Sequence, residues 1–151
     1  MPEIQPTVRP NPTASPSAFA ILVSALLGGL AGGVAWCFVS LPLPWFATYG
    51  IVAIGVALAA FSRWQGYRGV AAIVCTVFAI LIAFVYAQYL FGAVRIADSL
   101  GMPLREALFK AGFDLTSSVA WANLRIDDWA ALAVAIVTGS VVAAIGSRRP
   151  H

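Results

Sequence analysis

The chain is 151 residues long, a length that suits one domain, yet 61% of its residues are hydrophobic and only 10% are charged. A water-soluble fold of this size needs far more polar surface, so soluble globular classes are excluded and an all-α bundle facing lipid is expected. The net charge of +3 comes from basic residues scattered over tails and loops, with no basic run and no aromatic-interleaved patch, so nothing points to nucleic-acid binding.

Residues 1–18 hold Pro2, Pro6, Pro10, Pro12 and Pro16 among Thr, Ser and Asn, which reads as a disordered cytoplasmic tail. The apolar run that follows is longer than the core of a secretory signal, and only Arg9 precedes it, so it is expected to be retained. A lipoprotein signal fails too, because Trp36 stands before Cys37 where a small residue is needed. The first span is placed at 19–39. The Leu41–Pro44 segment, with prolines two apart, stops that helix and forces an antiparallel return.

The second span is placed at 45–61, between Trp45 and Trp64, the third at 70–90 and the fourth at 129–145, each near the length of about 20 residues that a bilayer requires. The membrane domain is thus 19–146, with 147–151 as a second cytoplasmic tail. Arg9, Arg63, Arg68, Arg148 and Arg149 face a single acid, Glu3, on one side. On the other, Arg95, Arg105, Lys110 and Arg125 are outweighed by Asp98, Glu106, Asp114, Asp127 and Asp128. By the positive-inside rule both termini are cytoplasmic. The preference for Arg over Lys and the alanine richness fit a GC-rich bacterial genome, a matter of composition only; the expected location is the inner membrane.

Span one carries two adjacent small-residue stripes, Gly28 with Gly32 and Gly29 with Gly33. Span three repeats Ala79, Ala83 and Ala87, and span four repeats Ala131, Ala135, Gly139 and Ala143. Four-residue spacing of small side chains lets helix backbones approach closely. These faces are expected to meet one another within the bundle, or to mediate self-association or contact with a membrane partner.

The connection 91–128 is longer than a linker needs. Leu104, Ala107, Leu108, Ala111 and Leu115 recur at helical spacing after Pro103, with Arg105, Glu106, Lys110 and Asp114 opposite, which predicts an amphipathic helix at the outer interface. A second helical stretch, about 116–124, would bury Leu115, Val119, Ala122 and Ile126, with Asp114, Thr116 or Ser117 as its cap. Arg95, Arg105, Glu106 and Lys110 are the candidate contacts for a membrane or periplasmic protein partner.

Chemistry is constrained mainly by exclusion. The four spans hold no Asp, Glu, Lys or Arg, so a carboxylate relay is disfavoured. The sole histidine is His151, which removes haem or metal ligation by His and Ser–His hydrolysis within the bundle. Cys37 and Cys75 are unpaired in sequence and expected at opposite depths, unlike the paired cysteines of membrane disulfide oxidoreductases. No cofactor is expected. Asp98, Asp127 and Asp128 are the weak candidates for catalysis, and the favourable field at a helix N-terminus already accounts for the last two. The reading is a non-enzymatic membrane component acting through its helix faces and outer connection. Its alternatives are a small oligomeric channel or carrier for an uncharged or lipid-like substrate and, third, a membrane-embedded lipid enzyme.

Overall fold

The computed structural model describes residues 17–42 and 46–145, the side chains of 46–48 excepted; the proline-rich tail through Pro16 and the basic tail after 145 lie outside the described residues. These residues form six α-helices: α1 (Ala18–Ser40), α2 (Phe46–Trp64), α3 (Val70–Leu100), α4 (Leu104–Lys110), α5 (Gly112–Ala122) and α6 (Ile126–Ile145). No strand is present among them. Of these helices, α1, α3 and α6 are long and apolar enough to cross a membrane; the described apolar part of α2, Tyr49–Trp64, is shorter.

The close contacts define how the long helices run. Gly29 lies against Ala79 and Ile82, and Gly33 against Ala83, Tyr86 and Ala87, so α1 and α3 are parallel. Gly28 meets Leu58 and Phe61 while Gly32 meets Ile54, which makes α2 antiparallel to α1. Gly55 on α2 touches Ala135, and Gly139 on α6 touches the Gly55 carbonyl and Ile80. Among the described residues α1 and α6 share no contact, so α2 and α3 form the middle of a rhombus with α1 and α6 at its far corners.

Small residues fill the seams, the pattern expected where helices associate by close backbone packing rather than by burying apolar surface from water. Ala25, Ala79, Ala83, Ala87 and Ala135 are almost wholly buried, whereas Phe19, Leu22, Leu27, Val85 and Val137 point outward. Several of the polar side chains inside are paired. Ser62 Oγ donates to the Ala59 carbonyl and lies 3.0 Å from Thr76 Oγ1, and Ser24 Oγ lies 2.9 Å from the Tyr67 hydroxyl. Cys75 Sγ donates to the Ile21 carbonyl at 3.8 Å, and both cysteines are buried free thiols.

The third long helix does not end near Leu90 but continues to Leu100. Charge ends a membrane span but need not end a helix, and the backbone stays right-handed past Gly92 until Gly101. That residue adopts φ +62° and lets the Met102 N–H return to the Ala97 carbonyl at 3.0 Å, a glycine-terminated C-cap. The sixth helix starts at Ile126 rather than Trp129, because Asp127 and Asp128 belong to its first turn.

Candidate functional site

At the end of the bundle that carries Ser40, Leu100 and Ile126, the chain folds α4 and α5 into a cap on the projecting part of α3. Pro103 starts α4, whose buried Ala107 packs with Ile96 and Ala97. Gly112, at φ +70°, then turns the chain so that α5 crosses α3 at Gly92. The crossing is close: a β-carbon on Gly92 would stand 2.7 Å from the Thr116 carbonyl oxygen.

The face of α5 that meets α3 differs from the one expected. Thr116 and Ala120 are buried, while Leu115 and Ile126, expected inside, are 50% and 84% exposed. The small face goes inward for the same reason as in the long helices, since only small side chains permit the approach at Gly92. The expected capping role of Asp114, Thr116 and Ser117 is likewise not observed. The helix begins earlier, at Gly112, and those residues lie inside it. Thr116 Oγ1 donates to the Gly112 carbonyl, and Ser117 and Ser118 donate to the Asp114 carbonyl.

Aromatic rings tie the cap to the bundle. Trp36 of α1 lies between Phe84 and Phe91 of α3, Phe84 meets Trp129 of α6, and Trp129 meets Trp121 of α5. On the other flank Tyr89 stacks on Phe113 at 5.7 Å between centroids. The Trp36 indole N–H and the Ser40 hydroxyl, one turn apart, are buried without a hydrogen-bond partner among the described residues.

Between α3, the end of α5 and the first turn of α6 lies a cavity of about 260 Å³, lined by Gln88 and Arg95 from α3, Asn123 from the end of α5, and Arg125 and Asp128 around the start of α6. Its apolar wall includes Phe91. Adjoining it, and sharing Gln88 and Ala120, is an apolar slot of about 80 Å³ bordered by Phe84, Tyr89, Phe113 and Trp121.

The carboxylates here have structural partners. Asp128 Oδ2 accepts the Arg125 backbone N–H at 2.9 Å, which is the N3-to-N-cap half of a capping box, and the Asp128 N–H bonds the Arg125 carbonyl in the first turn of α6. Asp127 stands 3.8 Å from the Arg125 guanidinium, both side chains being mostly exposed. Asp98 is exposed, and neither it nor Asp127 lines the cavity. Arg95, also exposed, belongs to no ion pair among the described residues.

The other candidate contacts lie elsewhere. Arg105, Glu106 and Lys110 occupy the outward face of α4 beside Phe109, with Lys110 bonded to Glu106 at 3.0 Å. Of the residues singled out from sequence, the structure thus brings Arg95 and Asp128 to one cavity and leaves the α4 charges on a separate surface. Gln88, Gly92, Asn123 and Arg125 were not singled out. An isolated glycine within a long helical pattern was the available signal for Gly92.

Among the described residues no group of His, Cys, Asp and Glu side chains is arranged to hold a metal ion. No family model, curated protein or solved structure matches the chain.

Proposed function

We propose that the chain is a four-span integral protein of a bacterial inner membrane, with both termini cytoplasmic, that serves as a non-enzymatic component and engages a membrane or periplasmic partner through its outer cap. The observation that carries this reading is the surface of the cap. Phe109, Phe113 and Trp121 are 81%, 73% and 60% exposed, and Phe109 lies beside the charges of Arg105, Glu106 and Lys110. A cap that merely covered helix ends in water would turn such rings inward; this one offers them to the lipid interface and to whatever docks there.

Counting α2 as the fourth span is supported by its position among α1, α3 and α6 and by its 19 residues, about 28 Å at helical rise. The glycine stripes of α1 are engaged by α2 and α3, so a partner or a second copy would have to use other faces. Of the three weak catalytic candidates, Asp128 has one oxygen engaged in a capping bond, which supports the non-enzymatic reading.

Affinity capture of the full chain from native membranes tests the reading. A stoichiometric unrelated protein should be retained by the parent and lost when Phe109→Ser and Lys110→Glu are combined. Retention of the same protein by that variant, or recovery of identical subunits only, would refute a cap-mediated partner. A reporter fused after Gly112 that behaves as cytoplasmic would overturn the topology.

A further inference from the structure

We infer that the cavity between α3, α5 and α6 is a phospholipid site, in which Arg95 and Arg125 hold the phosphodiester of one outer-leaflet lipid and the adjoining slot accepts the upper part of an acyl chain. The inference uses the membrane-spanning reading above but not the partner proposed there.

Depth is the first argument. Counting about 20 residues of hydrocarbon from Val70 along α3 reaches Leu90, and Arg95 lies about 7 Å further along the helix axis. That is the headgroup layer, where lipid phosphates reside. Arg125 reaches the same layer from α6, whose 20 residues give about 30 Å of helix.

Charge is the second. Arg95 has no carboxylate partner among the described residues, and the Arg125 pair with Asp127 is long and exposed, so both guanidiniums have donors to offer. A guanidinium presents paired N–H groups that match two phosphate oxygens. Asp128 lines the same cavity with one oxygen engaged by its capping bond. It would oppose a dianion but suits a headgroup that carries an ammonium beside its single negative phosphate, which selects a phosphatidylethanolamine-like lipid over a phosphate monoester.

Shape is the third. The cavity has polar groups on its rim and Phe91 on its wall, and the slot that shares Gln88 and Ala120 with it is lined almost entirely by rings and aliphatic groups. Polar cavity and apolar slot, side by side at the interface, match the division within an amphiphile. Neither volume could take up a whole lipid, so the rest of the molecule stays in the bilayer.

The full chain in maltoside micelles, titrated with dipalmitoyl phosphatidylethanolamine and followed by native mass spectrometry, should acquire one lipid that resists displacement by detergent. Arg95→Gln should weaken that binding about tenfold, the effect of losing one charge-assisted pair, whereas Arg95→Lys should lose less. Ser117→Phe, which fills the slot without touching the arginines, should also weaken it, with the melting temperature of each variant checking the fold. Glycerol phosphate should not compete at concentrations that exceed the lipid a hundredfold. Equal lipid retention by Arg95→Gln and Ser117→Phe, or effective competition by glycerol phosphate, would overturn the site. Lipid loss in Arg95→Gln with partner capture unchanged would separate this site from the docking surface of α4.

Discussion

A methyl group at position 29 would stand 2.7 Å from the Ala79 carbonyl oxygen and equally close to Ile82 Cβ, whereas one at position 28 would meet the end of Leu58 at 3.4 Å and the Phe61 ring at 3.6 Å, both ordinary contacts. The two neighbours therefore differ sharply in tolerance. Gly29→Ala should lower the stability of the bundle by about 1–3 kcal/mol, as overpacking against a rigid backbone does, and Gly28→Ala should leave it near the parent. Thermal unfolding in detergent, followed by the rate at which buried Cys75 reacts with a maleimide, distinguishes them. A similar contrast holds between two adjacent carboxylates. Asp128→Ala removes a capping bond and should cost about 1 kcal/mol, while Asp127→Ala removes an exposed 3.8 Å pair and should change stability by less than about 0.5 kcal/mol. Equal effects in urea titrations of the micellar protein would contradict the capping role.

Among the elements, α5 is held mainly by one crossing. Its carbonyl at Thr116 rests on Gly92, and Tyr89 and Phe113 stack beside it. Gly92→Val should detach α4 and α5 while the seam of Gly29 and Gly33 with α3 persists. Hydrogen exchange should then accelerate over 104–122 and stay slow over 76–87. This element also shows where sequence reasoning stopped. The long helices and the α4 amphipathic pattern were legible from their uncharged apolar runs and from Pro103, although charge misplaced the end of α3 and the start of α6. The inward face of α5 was not, since periodicity of large side chains identifies the buried side in water, whereas here the small side chains at Thr116 and Ala120 pack on Gly92 and the large ones turn outward. The cavity was half legible: Arg95 stands out as an unpaired charge beyond an apolar run. Gln88, Asn123 and Arg125 join it only because α5 crosses α3 and the chain turns into α6. Such a convergence of three elements leaves no spacing signal.

At the scale of the whole molecule, the order of helices along the chain differs from the order of contacts. The segment next to α1 in sequence is α2, yet the tightest seam of α1 is with α3, and α2 meets its parallel neighbour α6 only at the end of the chain. Biogenesis inherits this arrangement. On the four-span reading proposed above, the hairpin of α1 and α2 would sit in the bilayer with the backbone at Gly29 and Gly33 uncovered while α3 is still being synthesised, a state open to quality-control proteases. Even after α3 docks, Gly55 and Ile80 stay open until Gly139 arrives. A chain ended at Asn123 should therefore insert but be cleared within minutes in pulse-chase labelling, whereas the full chain persists; equal lifetimes would show that the first five helices are self-sufficient. The last twenty described residues act, on this view, as a latch that turns an inserted chain into a finished one.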